Sequence, residues 1–143
     1  MFKKNIYSLP LFIISLILIS CADSITESTP SIDEANNDNN VAPTFSDIQN
    51  NIFNQSCAFS GCHVSGSVNP NLSGNSHSNI VNKQSSTGMV LIKPNDPDNS
   101  YLLQKIIGSG GIQGSRMPLN SSSLSQDKID ALIEWINNGA PND

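Results

Sequence analysis

Two thiols followed at once by an imidazole stand at Cys57-Ala58-Phe59-Ser60-Gly61-Cys62-His63. A cysteine directly before a histidine is what covalent haem attachment requires, because the sulfur bonds a porphyrin edge while the neighbouring ring reaches the iron. The stretch therefore reads as a haem-attachment site, with Cys57 and Cys62 as sulfur donors and His63 as an axial ligand. The usual attachment sequence has two residues between the cysteines; here there are four. For Cys57 to reach the same porphyrin edge, the spacer has to bulge outward, and Gly61 is able to take the backbone angles such a bulge needs.

Iron in a porphyrin has a second axial position that His63 cannot fill. Met117 is the leading candidate, a thioether delivered after the flexible run Gly108–Ser115 and fixed in direction by Pro118. A sulfur ligand there raises the reduction potential relative to two imidazoles. His77 is the alternative distal ligand, which would make a lower-potential bis-histidine site, although a histidine among Ser and Asn is more often a solvated loop residue. Met89 reads as packing. Arg116 is placed to pair with a haem propionate, a role that a surface arginine does not need. Without haem, the same residues allow a Cys57–Cys62 disulfide, or a zinc site from Cys57, Cys62, His63 and His77 in which adjacent Cys and His are poorly spaced.

Helices must position these groups. Thr44-Phe45-Ser46-Asp47 has the form of a capping box, and Phe45, Ile48, Ile52 and Phe53 share one helical face leading into the thiol stretch. A short helical piece is expected around Ser78–Asn82. Asp96 with Pro97 suits the start of a middle helix of about three turns, carrying Leu102, Leu103, Ile106 and Ile107 and closed by Gly108. The last helix is the clearest: Ser125 as N-cap, Leu124 stapled to Ile129, and Ile129, Leu132, Ile133 and Ile136 on one face before Gly139 and Pro141. With no convincing strand, the fold class is all-α.

Residues 1–20 read as an export signal: Lys3 and Lys4 precede an apolar run from Leu9 to Ile19 that is short for a membrane span. Leu18-Ile19-Ser20-Cys21 resembles the lipobox of bacterial lipoproteins, which implies acylation of Cys21 and cleavage before it; the plainer reading is an ordinary signal peptide with a chance cysteine. Two or more acyl chains anchor a protein stably to a bilayer. Ala22 after the cysteine, by analogy with Gram-negative lipoproteins, favours the outer membrane. Residues 21–43 are polar and acidic and read as a lipidated, disordered tether. The 100 residues from 44 to 143 make one small domain with five aromatics. Its own core is thin, and a covalently bound apolar cofactor would enlarge it. After cleavage, five basic residues face twelve acidic ones, a net charge of −7 that makes nucleic acid a poor partner.

Taken in order, Phe53, the thiol stretch ending in Cys62-His63, Lys93-Pro94 through Ser100-Tyr101-Leu102, Arg116-Met117-Pro118 and Leu124 through Trp135-Ile136-Asn137-Asn138-Gly139-Ala140 resemble a bacterial c-type cytochrome domain of the planctomycete type. The resemblance covers nearly all of 44–143. It implies a cytochrome c-like fold with crossed N- and C-terminal helices around one covalent haem c, thioether bonds from Cys57 and Cys62, and iron held by His63 and Met117. It implies redox proteins as partners, while the lipobox implies a cell-envelope location, on the periplasmic side or at the outer membrane. A six-coordinate iron carries single electrons, so an electron carrier is expected rather than an enzyme. The alternatives from the residues remain a haem sensor or catalytic-complex subunit with a displaceable distal ligand, and a haem-free module with a disulfide.

Overall fold

The computed structural model of the chain describes residues 40–143; the export segment 1–20, Cys21 and the tether as far as residue 39 lie outside the described residues. Thr44 opens the first helical element with an extended backbone, its Oγ1 accepting from the Asp47 N–H at 3.3 Å. Asp47 does not complete the capping box. Its Oδ2 accepts from the Ala42 N–H at 3.0 Å, since aspartate lacks the length with which Glu or Gln returns to the cap residue. Val41 is already buried, so the packed domain begins three residues before the expected boundary at 44.

Helix α1 (Phe45–Ile48) runs into a π-helical stretch (Gln49–Phe53) and then α2 (Asn54–Ser56). The expected apolar face of Phe45, Ile48, Ile52 and Phe53 is buried. Its exposed N-terminal amides are satisfied from the far end of the chain: Phe45 N donates to Asp143 Oδ1 at 2.6 Å and Ser46 N to the Asp143 carbonyl at 3.1 Å. An Asp143→Ala chain is expected to lose about 1 kcal/mol, the usual worth of a cap, as read by urea unfolding.

Gln49, a polar residue inside the helix, is buried and fully used. Its Nε2 donates to Leu72 O and to Asn54 Oδ1, both at 2.8 Å. Its Oε1 accepts from Ser76 N at 3.1 Å and from Ser76 Oγ at 2.7 Å. Two donors and two lone pairs exhaust an amide's capacity, so the first helix grips the segment Leu72–Ser76.

Helix α3 (His77–Ile80) follows, and the turn beyond it is closed by two isolated bridges, Val81 with Ile92 and Gln84 with Val90. No strand forms among the described residues. The single middle helix expected from Pro97 is divided. Asp96 caps a 3-10 turn (Pro97–Asn99), its carboxylate receiving Lys93 Nζ at 2.6 Å and the Asn99 N–H at 3.2 Å. Those partners, Lys93 first, hold the Asp96 carboxyl below its usual range, so this cap is present at neutral pH and is lost only as acid protonates it through that lowered pKa. Ser100 then turns extended, with its Oγ donating to Asp96 O, and α4 (Tyr101–Ile107) starts afresh with two turns instead of three. Its buried face includes Tyr101 and Gln104 beside Leu102, Leu103 and Ile106, whereas Ile107 is 42% exposed. Gln104 is buried with its Nε2 donating to Asp98 O at 2.5 Å and its Oε1 without a protein partner.

Helix α5 (Gln126–Asn137) matches its pattern, with Ala131, Leu132, Trp135 and Ile136 buried and Leu124, Ile129 and Ile133 packed at the edge. Ser125 takes the cap conformation, but its hydroxyl makes no cap hydrogen bond. Helices α1 and α5, near opposite ends of the domain's sequence, pack together, with the Phe45 and Trp135 rings 5.7 Å apart. Lys128 Nζ ties α5 to Asn51 O at 2.8 Å. The described domain is all-α, and none of its helices is long and apolar enough to cross a membrane.

Candidate functional site

The thiol stretch begins where α2 ends. Cys57 N and Ala58 N both donate to Phe53 O, at 3.0 and 2.8 Å, which breaks the helix. The spacer then forms a solvent-facing turn: Cys62 N donates to Phe59 O at 2.9 Å, Gly61 sits at φ +80°, and Phe59 is 52% exposed. His63 N reaches back to Cys57 O at 3.2 Å, so four spacer residues are bridged by one backbone bond. Only glycine takes that φ cheaply, and the spacer does bulge there, but the bulge leaves Cys62 exposed while Cys57 is buried.

The two thiols, both free, occupy different surroundings. Cys57 is 8% exposed and Cys62 is exposed. Burial, and secondarily the neighbouring Cys62, pushes the Cys57 thiol up to about 11. In the free-thiol form Cys62 is therefore expected to react with iodoacetamide well before Cys57 at mildly alkaline pH, read by peptide mass. The same displacement sets a stability trend. Above the ordinary thiol range the unfolded chain has released this proton while the folded chain keeps it, so stability falls as pH rises toward 11, and a Cys57→Ala chain should lose that alkaline slope.

His63 is oriented by the loop that follows it. Its Nδ1 lies 3.0 Å from Pro70 O, and a carbonyl only accepts, so Nδ1 carries the proton and Nε2 keeps a free lone pair. Leu72 N donates to His63 O at 2.8 Å and Val68 N to Cys62 O at 3.1 Å, closing the loop on both sides of the histidine. Gln49 in turn holds Leu72. The imidazole is thus referred back to the first helix through two hydrogen-bonded layers.

Met117 is delivered by a loop laid against α4. Its N–H donates to Lys105 O at 2.7 Å, and the Lys105 ammonium donates to Gln113 O at 2.9 Å and Ser115 O at 2.5 Å. The Tyr101 hydroxyl accepts from Gln113 N at 3.1 Å. Gly110, at φ +74°, presses on the Gln104 side chain: a Cβ there would lie 2.6 Å from Gln104 Cδ. A Gly110→Ala chain must either hold the left-handed region at a cost of about 1–2 kcal/mol or rearrange the turn, and must also move Gln104, so faster proteolysis of the 108–117 loop is expected.

These pieces meet on one cleft of about 1080 Å³, at the top of the size range of small-molecule and cofactor sites. Cys57, His63 and Met117 all line it, and Leu72, Leu91, Leu102 and Ile106 supply apolar wall. Cys62, His77 and Arg116 do not line it. His77 is engaged elsewhere: its Nε2 lies 2.9 Å from Ala140 O and its ring meets Phe45 edge-on at 5.1 Å. Packing among aromatics, not solvation, is its setting, and the four-ligand zinc arrangement is not formed among the described residues. The Arg116 guanidinium spans Met117 O at 2.9 Å and Ser121 O at 2.8 Å, so it stiffens the methionine loop rather than facing the cleft. Met89 packs against the core, as its context suggested.

Pro70, Gln49, Lys105 and Tyr101 escaped the sequence reading. Gln49 and Lys105 carry a trace, each being a polar residue interrupting an apolar helical stripe; the acceptor role of Pro70 is a backbone property with no sequence signal. No family model, curated protein or solved structure matches this chain. What the fold and the site define is an all-α domain whose cleft joins a thiol, an imidazole of fixed tautomer and a thioether.

Proposed function

We propose that this chain is a c-type cytochrome: a one-electron carrier with a single haem c bonded through Cys57 and Cys62, its iron held by His63 and Met117, in a cytochrome c-like fold. It is exported and held in the cell envelope by acyl chains on Cys21, where it exchanges electrons with redox proteins. The observation that supports this most is the convergence of Cys57, His63 and Met117 on one large cleft, although the last two lie more than fifty residues apart in sequence.

Cys57, His63 and Met117 fit the group, whereas Cys62, exposed and off the cleft wall, would have to turn inward to form its thioether. The Pro70 carbonyl fixes the His63 tautomer that leaves Nε2 available to a metal, a common support of ligating histidines. Met117 offers a soft sulfur on a loop tied down at Lys105. Leu72, Leu91, Leu102 and Ile106 offer apolar surface against which a macrocycle would pack. Haem, if bound, would supply reversible one-electron chemistry, and His63 and Met117 together would hold its iron closed to a substrate.

Intact mass and the visible spectrum of the exported protein test the reading. Haem that stays with the chain through acid–acetone extraction is the expected result. A chain of apoprotein mass less two hydrogens favours instead a haem-free module with a Cys57–Cys62 disulfide, and an iron open to carbon monoxide in the unaltered protein favours a sensor or catalytic subunit with a displaceable ligand. Anchoring is tested separately: a Cys21→Ser chain is expected to move from the membrane fraction to the soluble fraction.

A further inference from the structure

Charge along the cleft is one-sided. The chain as a whole carries a formal charge of −5, yet no Asp or Glu lines the cleft, and the charged side chains that do are Lys83 and Lys105. The described domain from which the lining is drawn holds seven acidic and five basic side chains. Lys105 is committed, its ammonium donating to Gln113 O and Ser115 O. The Lys83 ammonium makes no hydrogen bond or ion pair with the rest of the described domain; only its backbone is bonded, to Ile80 O and Leu91 N. Beside it along the same wall run Gln84, Ser85, Ser86 and Thr87, a stretch of polar side chains with no anion of their own. The turn is shaped from within: Ser85 Oγ and Thr87 Oγ1 lie 2.8 Å apart, and Gly88 N donates to Ser85 O at 3.0 Å.

An apolar-walled cleft with a free ammonium and hydroxyls at its rim suits an occupant with an apolar body and an acidic edge. We propose that Lys83, with the Ser85–Thr87 turn, is the subsite for a carboxylate of the molecule that fills this cleft. The inference rests on the haem reading, under which that carboxylate is a propionate. It assigns to Lys83 the part that residue type alone suggested for Arg116, whose guanidinium is spent on Met117 O and Ser121 O.

A nearby cation lowers a carboxyl pKa, and a carboxylate close to a redox centre makes the midpoint potential depend on pH around that pKa. The other titratable side chains on the cleft are Cys57, His63, Tyr101 and Lys105; His63 and Tyr101 are held by hydrogen bonds to Pro70 O and Gln113 N. Midpoint potential is therefore followed against pH for the haem-loaded protein and for Lys83→Gln, Lys83→Arg and Lys93→Gln. Lys93 is the matched control, an exposed lysine paired with Asp96 and absent from the cleft wall.

Lys83→Gln is expected to move the acid inflection upward by about one pH unit. Lys83→Arg should restore it, and Lys93→Gln should leave it in place. An inflection that Lys83→Gln does not move, in a protein whose mass shows covalent haem, overturns the subsite and leaves the carrier reading standing. A protein without covalent haem overturns the carrier reading, and the subsite with it.

Discussion

A Trp135→Ala chain is expected to lose about 3–5 kcal/mol of stability, the cost of deleting a large aromatic from a closed core. Trp135 is fully buried on α5 and its indole bridges three elements. It meets Phe45 of α1 at 5.7 Å and His77 of α3 at 6.2 Å, and its Nε1 donates to Pro141 O at 2.9 Å, past the helix end. Domains of this size are stable by only about 5–15 kcal/mol, so one substitution removes a large share of the total. Urea unfolding followed by circular dichroism measures it as a large fall in midpoint. Trp135→Phe separates the contributions, because it keeps most of the apolar volume and gives up the indole hydrogen bond, worth about 1 kcal/mol. A Trp135→Ala midpoint within experimental error of the unaltered chain would remove the α1–α5 contact from its place as the centre of the fold.

The parts of this architecture that were readable from residue order are those set by local periodicity. Phe45, Ile48, Ile52 and Phe53 announce one buried face, and Leu132 and Ile136 another with Ile129 and Ile133 at its edge, because a helix repeats its apolar positions whatever lies opposite. A turn through Gly61 was readable too, but not that it would leave Cys62 exposed while Cys57 is buried. What local rules missed depends on partners distant in sequence. Thr44 and Asp47 spell a capping box, yet Asp143, 98 residues from Phe45, closes the helix start. Gln104 lies inside and Ile107 outside, with Gln104 Nε2 on the Asp98 carbonyl. Among site residues, Cys57, His63 and Met117 converge on the cleft, while Arg116 and His77 go to carbonyl partners that no spacing rule reveals. Residue type suggested what each could bind; only tertiary structure decides what is in reach.

The second large effect is expected at Met117. Under the proposed function, a Met117→Ala chain keeps covalent haem, binds carbon monoxide rapidly where the unaltered protein does not, and has a lower midpoint potential, because the thioether is the contact that favours the reduced iron. Loss of fold is not expected to confuse the result. The Met117 side chain is only half-buried, and its loop is held by backbone and neighbouring groups that the substitution spares: Met117 N on Lys105 O, the Lys105 ammonium on Gln113 O and Ser115 O, and Arg116 on Ser121 O. Met117→His should close the iron again at a potential below that of the unaltered protein, as a second imidazole does. His77→Ala supplies the contrast. Because His77 is bonded to Ala140 O and stacked edge-on against Phe45, its removal should lower stability and leave the spectrum of the folded protein alone. If His77→Ala opens the iron and Met117→Ala does not, the axial assignment is reversed, and the α3 histidine must leave its place among the aromatics when haem is bound.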